Sequence, residues 1–124
     1  MWIQANPNPS RKIVGDCVIR AISILLDQDW FTTYDDLTAL GKLLADMPSS
    51  NAVWSEFLFT KGFKRYALPD LCPICYTIKE FCLDHPTGEF LLATGSHVVA
   101  VIDGDYYDTW DSGEEVPIYY FERR

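Results

Sequence analysis

The hydrophobic pattern of the chain changes from a helical to a strand-like period in its last third, and this order of elements constrains the fold more than any other feature. Upstream, apolar residues recur at the three-to-four-residue spacing of amphipathic helices. From Glu89 onward, short apolar runs alternate with turn residues, as in β-strands. Helices followed by a meander of strands predict an α+β fold, in which N-terminal helices pack on a C-terminal antiparallel sheet.

Local signals place the individual elements. Asp16 is the predicted N-cap of a first, mostly buried helix that begins at Cys17. Asp103-Gly104 is a strong signal for a two-residue hairpin turn. Residues 1–15 contain Asn6-Pro7-Asn8-Pro9, which predicts an extended, loop-like arm. Further helices are predicted from about Thr33 to Met47, from Asn51 to Lys61 and from Thr77 to before Pro86, and strands at Phe63–Leu68, Glu89–Thr94, His97–Ile102, Asp105–Trp110 and Val116–Phe121.

Length and composition limit the class of protein. The 124 residues match one compact domain, so we expect a single domain over residues 1–124. Apolar residues make up 48% of the chain, which is enough for a core. A net charge of −8 repels phosphate backbones and anionic membranes, so we expect neither nucleic acid nor a membrane as a partner. The chain lacks an apolar run of roughly 20 residues and a signal-peptide pattern, and a cytoplasmic location is therefore predicted.

Cys17 is the candidate nucleophile. A free cysteine has a pKa of about 8.5, and the N–H groups and dipole of a helix N-terminus stabilise its reactive thiolate form. Gly15 permits close approach of a substrate backbone, and the backbone N–H of Cys17 is placed to donate to an oxyanion. The alternative interpretation is a buried structural cysteine. Arg20, four residues after Asp16, has its own simple interpretation as one half of a surface ion pair.

His97 and Asp108 are the candidate base and its orienting carboxylate. With a two-residue turn at Asp103-Gly104, His97 lies opposite Trp110 and diagonal to Asp108, while Asp111 falls on the other face. A carboxylate on one ring nitrogen fixes the tautomer of a histidine and stabilises its imidazolium form. In this arrangement the indole of Trp110 shields the contact from water. The alternative is an ordinary hairpin with a surface histidine and a solvated aspartate.

These motifs, in this order, resemble those of the papain-like cysteine peptidases. Gly15-Asp16-Cys17-Val18-Ile19 is similar to the papain Gly-Ser-Cys-Trp-Ala motif, and Asp108-Thr109-Trp110 to the Asn-Ser-Trp after the histidine strand. The chain as a whole also resembles small phage and bacterial peptidase-like proteins, through Asn8-Pro9, the Gly-Asp-Cys helix start and Gly95-Ser96-His97-Val98-Val99-Ala100-Val101. The resemblance implies a papain-like domain whose Cys17–His97–Asp108 triad cleaves an amide bond of a peptide or protein, as a peptidase or isopeptidase, without a cofactor.

The papain-type oxyanion donor has no direct counterpart in this chain. Papain-like enzymes usually place a glutamine six residues before the cysteine, where this chain has Arg11. Asn8 is the nearest upstream amide and the predicted substitute, with Gln4 and Asn6 as further candidates. Trp110 is the second residue assigned to the oxyanion and substrate site. The departure at Arg11 leaves open an alternative function, a papain-like binding module that has lost turnover.

A further alternative is a small zinc-stabilised interaction domain. Cys72-Pro73-Ile74-Cys75 is a CxxC motif, and Cys82 and His85 follow it. The two pairs are a conceivable tetrahedral zinc set, but the six residues between them are fewer than in common zinc fingers. A redox CxxC is another option, although no thioredoxin-like strand precedes the motif. We favour packing, in which Ile78, Phe81 and Cys82 form an inward helix face and both CxxC cysteines pack in the preceding loop.

Overall fold

Within residues 1–71 and 73–123, which a computed structural model describes, the chain forms four helices and one six-stranded sheet. This architecture confirms the α+β class. In chain order the elements are β1 (Trp2–Gln4), α1 (Cys17–Leu26), α2 (Trp30–Leu44), α3 (Asn51–Thr60), β2 (Phe63–Ala67), α4 (Ile78–Asp84), β3 (Glu89–Ala93), β4 (Val98–Ile102), β5 (Asp105–Asp108) and β6 (Tyr119–Arg123). Among these described residues, no helix has the length and apolar character needed to cross a membrane.

The helix starts follow local capping chemistry. α1 begins at Cys17 as predicted, so this residue lies in the first turn, where backbone N–H groups lack partners within the helix. α2 begins at Trp30 rather than near Thr33. The reason is an N-cap that apolar spacing alone does not reveal, because the Asp29 carboxylate accepts the Thr32 N–H at 2.7 Å.

The sheet is mixed, with the strand order β1-β5-β4-β3-β6-β2. Its neighbouring strands are antiparallel except for β1 and β5, which run parallel. The predictions of an antiparallel sheet and of a loop-like N-terminal arm are therefore wrong at this edge. A three-residue strand is too short to show alternation, and its pairing comes from β5, which is distant in sequence. This pairing holds the backbone of Asp108, whose carbonyl accepts the Ala5 N–H at 3.0 Å.

Side chains of the central strands alternate between two cores on opposite faces of the sheet. Helices α1 and α3 cover the face that carries Leu91, Ala93, Val98 and Ala100, and α2 packs against both helices. Helix α4 covers the face that carries Phe90, Leu92, Val99 and Val101. Because α1 packs along β4, its first residue, Cys17, comes next to the start of that strand.

The hairpin that carries the candidate base has the predicted register. β4 and β5 pair across a two-residue turn at Asp103-Gly104, and both turn residues have positive φ, 50° and 81°, as a type I′ turn requires. The strands are shorter than predicted, since β4 begins at Val98 and β5 ends at Asp108. His97 and Trp110 therefore lie just outside the strands, in segments that are free to depart from regular alternation.

Candidate active site

The first turn of α1 presents the Cys17 thiol beside the sheet. Asp16 occupies the N-cap position, as predicted, but its side chain accepts no N–H from the helix. Its carboxylate instead accepts the Asn8 amide at 3.1 Å and the Trp30 indole N–H at 2.9 Å, and it pairs with Arg20. The N–H groups of the first turn are thus left open by the cap and remain available to a thiolate or an oxyanion.

The side chains of His97 and Asp108 are in direct contact. Nε2 of His97 lies 2.6 Å from Oδ2 of Asp108. The same carboxylate oxygen accepts the Ser112 hydroxyl at 2.7 Å, and Oδ1 accepts the Thr109 N–H at 2.8 Å. Burial raises the pKa of Asp108, but the hydrogen bonds from His97 and Ser112 outweigh burial, so the pKa lies below its ordinary value. Sequence reasoning missed Ser112, because no periodicity relates this loop residue to the end of β5.

The Cys17 thiol lies close enough to the same imidazole to lower its own pKa and to raise that of His97. Since Nε2 of His97 faces Asp108, Nδ1 is the ring nitrogen left for the sulfur. The backbone N–H of Val98 is a second nearby group that lowers the pKa of the thiol. The structure thus brings together the three predicted triad residues, one from the start of α1 and two from the ends of the strands in one hairpin.

Hydrogen bonds and charges favour a thiolate–imidazolium pair. Burial raises the pKa of the Cys17 thiol, but bonds from His97 and Val98 and the positive charges of His97 and Arg20 bring it below its ordinary value. Burial lowers the pKa of His97, but the hydrogen bonds with Asp108 and Cys17 outweigh this effect and raise it to about 9. Both shifts favour the state in which the imidazole is protonated and the sulfur is a thiolate, which is the reactive form of a thiol.

Arg20 is buried within the site and is not the surface residue that its spacing suggested. Its side chain is 9% exposed, and it pairs with Asp16 while Nη2 lies 3.9 Å from Oδ1 of Asp108. The guanidinium thereby joins the N-cap of the nucleophile helix to the carboxylate that contacts the histidine. The i,i+4 spacing identified the partner correctly. Burial of the pair results from the packing of α1 against the sheet, which local spacing does not reveal.

The contacts around His97 show which of the two candidate carboxylates, Asp108 or Asp111, lies at the imidazole. The Trp110 ring covers one side of the His97 ring, with centroids 5.8 Å apart, and remains 47% exposed. Asp111 accepts the Tyr106 hydroxyl and does not approach the histidine. Asp108 is thus the carboxylate at the imidazole, as the hairpin register predicts, while Asp111 anchors the loop after β5.

Asn8, the predicted oxyanion donor, is not among the residues that line the cleft at Cys17. It is 7% exposed; its amide nitrogen donates to Asp16 and its oxygen accepts the Ser10 N–H at 2.9 Å. These bonds hold the loop that precedes α1. Arg11, at the position of the papain glutamine, is exposed with a φ of 54°. Gln4 and Asn6, the further candidates, do not line the cleft either. The donor that remains from the sequence interpretation is the backbone N–H of Cys17.

A cleft of about 270 Å³ lies beside the Cys17 thiol and the His97 ring. The first turns of α1 and α3 and the loop before β4 form its walls. In the described part of the chain, no aspartate, glutamate, lysine or arginine lines it. Its lining includes Gly15, Ser49, Asn51, Trp54, Gly95 and Tyr119. Sequence reasoning identified the glycine before the nucleophile but missed the residues of α3, because no local pattern relates them to Cys17.

The candidate zinc set has little support in its described members, and Cys72 lies outside the described residues. Cys82 is buried in the core under α4, as packing predicts, and burial raises its pKa to about 11. The His85 ring stacks on Phe81 with centroids 3.9 Å apart, in agreement with packing. Cys75 is exposed, so its predicted packing is wrong. In residues 1–71 and 73–123, no group of three His, Cys, Asp or Glu side chains is arranged to hold a metal ion.

Comparisons with protein families, with curated proteins and with solved structures found no match to this chain. The geometry of the site and the motifs that carry the papain resemblance are therefore the basis for a functional proposal.

Proposed function

We propose that this protein is a thiol hydrolase, a cysteine peptidase or isopeptidase that cleaves an amide bond through a Cys17–His97–Asp108 triad. The observation that carries the proposal is the His97 imidazole, which contacts Asp108 at 2.6 Å and lies beside the Cys17 thiol at the same cleft. A nucleophile within reach of a base, which a third group orients, is the arrangement that covalent catalysis needs.

The proposed reaction begins when the Cys17 thiolate attacks the carbonyl carbon of the substrate. A C–S bond forms, and the backbone N–H of Cys17 donates to the resulting oxyanion. As the C–N bond breaks, the His97 imidazolium gives its proton to the leaving amine. Neutral His97 then takes a proton from water, whose oxygen attacks the thioester. The C–S bond breaks, the acid leaves, and the thiolate–imidazolium pair is restored.

A papain-like fold is part of the proposal. Its support is that the Gly15-Asp16-Cys17 segment leads into a helix, that this helix packs on the strand after His97, and that Asp108 ends the next strand. Trp110, beside the imidazole, fits the Asn-Ser-Trp motif of papain-type enzymes. Arg11 in place of the glutamine is the departure from the pattern. We propose a peptide or protein substrate in the cytoplasm, and the net charge of −8 favours a neutral or basic one.

A peptide library tests the proposed activity. The purified protein is incubated with proteome-derived peptides and isopeptide-linked peptides, and mass spectrometry detects cleaved bonds and an acyl adduct on the protein. Cleavage is expected for the wild type, with loss in Cys17→Ser and strong reduction in His97→Gln. Cys82→Ser is the matched control, because it changes a buried cysteine of the opposite core and should retain activity.

A binding module without turnover is the second candidate. One observation favours it: the predicted oxyanion amide of Asn8 is engaged by Asp16 and lies away from the cleft. Rapid alkylation of Cys17 together with no cleavage of any library peptide would select this function and reject the hydrolase.

A further inference from the structure

The side-chain amide of Asn51, an exposed residue at the start of α3, is oriented by one hydrogen bond. The indole Nε1 of Trp54 donates to Oδ1 of Asn51 at 3.0 Å. An indole N–H only donates, so the atom that faces it is the carbonyl oxygen of the amide and not its nitrogen. Trp54 is 1% exposed, and the surrounding core therefore prevents its ring from turning away. The amide nitrogen is thus the polar atom that Asn51 offers to a ligand in the cleft that it borders.

The chemistry of the cleft suits hydrogen-bond acceptors and uncharged groups. α1 begins at Cys17 and α3 at Asn51, and both residues border the cleft, so two helix N-termini lie beside it. The N-cap of α1 accepts none of its first N–H groups, whereas Ser50 caps α3 by accepting the Val53 N–H. The rings of Trp54 and Tyr119 supply apolar surface, stacked at 9° with centroids 6.4 Å apart. Apart from the thiol–imidazole pair, no side chain of a charged type lines the cleft among the described residues. A charged substituent would therefore lose its hydration there and would find no charged partner other than the thiolate–imidazolium pair, whose two charges already balance each other.

We infer that Asn51 is a substrate-binding residue whose amide nitrogen donates to a backbone carbonyl of an extended peptide, and that the cleft receives an uncharged side chain of the same peptide. The inference rests on the proposed thiol chemistry of Cys17 for the nature of its ligand. It does not require turnover, because a peptide that binds without being cleaved makes the same contacts.

Asn51→Asp isolates the donor with little structural change. The carboxylate still accepts the Trp54 indole N–H, and a negative charge in the first turn of a helix is favourable for folding. What changes is the group offered to the ligand, from an N–H donor to an anionic acceptor. Ala52→Asp is the matched control, since it adds the same charge one residue later, at an exposed position that does not border the cleft.

Two electrophiles report thiol reactivity and peptide binding separately. The labelling rate of iodoacetamide, a small reagent, depends on the Cys17 thiolate alone. The labelling rate of an N-acetyl tripeptide vinyl sulfone also depends on how well its own peptide binds in the cleft. The vinyl sulfones carry leucine, lysine or glutamate at each of the two residues before the electrophile. Intact-protein mass spectrometry gives the labelling rates. We expect wild type to favour leucine at one of these positions, and Asn51→Asp to lower the ratio of leucine-probe rate to iodoacetamide rate by about tenfold. Ala52→Asp should leave this ratio within about twofold.

The outcomes separate the inference from the proposed function. An unchanged ratio in Asn51→Asp, an equal loss in Ala52→Asp, or equal rates for leucine, lysine and glutamate probes would overturn the inference and leave the triad proposal standing. If iodoacetamide labels Cys17 but no peptide probe does, the inference is overturned, and cleavage of library peptides still decides the proposed hydrolase. Efficient peptide labelling without hydrolysis of any library peptide would support the inference while rejecting the hydrolase.

Discussion

Asp108→Ala is expected to lower the pKa of His97 and, with it, the amount of reactive thiolate. A pKa of about 9 instead of the ordinary 6.5 corresponds to roughly 3 kcal/mol in favour of the protonated ring. The hydrogen bond with Asp108 is the largest contribution that raises it. Loss of such a charged partner lowers a pKa by about 1 to 3. The equilibrium that moves a proton from Cys17 to His97 then falls by about tenfold to a thousandfold.

Thiolate absorbance measured against pH, together with kcat/KM on the best library peptide, checks this prediction. We expect the thiolate to appear at higher pH in Asp108→Ala and kcat/KM to fall by at least about tenfold. Asp111→Ala is the control, because its carboxylate bonds Tyr106 and not His97. An unchanged thiolate titration in Asp108→Ala, or a larger loss of kcat/KM in Asp111→Ala, would refute the assignment of the orienting residue.

Asp108→Asn separates orientation from charge. The side-chain amide oxygen of the asparagine can replace Oδ2 and accept hydrogen bonds from His97 and Ser112. Its NH2 group then takes the place of Oδ1. That site faces other donors, the Thr109 N–H at 2.8 Å and Arg20 at 3.9 Å. We expect turnover between those of wild type and Asp108→Ala, and a loss of about 1–3 kcal/mol in the free energy of unfolding, measured by urea denaturation. Equal turnover in the asparagine and alanine variants would contradict an orienting role.

Three further predictions follow from the same contacts. Limited iodoacetamide treatment with peptide mapping should label Cys17 before Cys82, whose pKa is raised to about 11 by burial; faster labelling of Cys82 would contradict this. Arg20→Met leaves the Asp16 carboxylate buried without its ion partner and should cost about 3–5 kcal/mol in urea denaturation, whereas a loss under about 1 kcal/mol would show that the pair is hydrated. Folding raises the pKa of His97 to about 9. The contribution of protonated His97 to the free energy of unfolding is therefore complete below pH 6.5 and is lost as pH rises through about 9. The difference in unfolding free energy between wild type and His97→Gln should shrink over that range, and a constant difference would exclude the raised pKa.

Local signals in the sequence determine a large part of the site. Asp103-Gly104 favours a type I′ turn, and a two-residue turn sets the register of both strands without help from the rest of the chain. That register brings the segments of His97 and Asp108 to the same end of the hairpin. The helix start at Cys17 is likewise encoded within a few residues, since the apolar run begins there. The strands end earlier than alternation predicts, but the contact that matters forms at their ends.

Only the tertiary structure decides which polar residues around the triad are buried and which partners they hydrogen-bond. Asn8 and Arg20 have sequence contexts typical of exposed residues, yet both are buried around Asp16 because α1 packs against the sheet. Ser112 and Asn51 reach the site from segments that no period or turn relates to it. Hydrogen bonds between segments distant in sequence depend on where the whole chain places each donor and acceptor, and hydrophobic patterning carries no information about that placement.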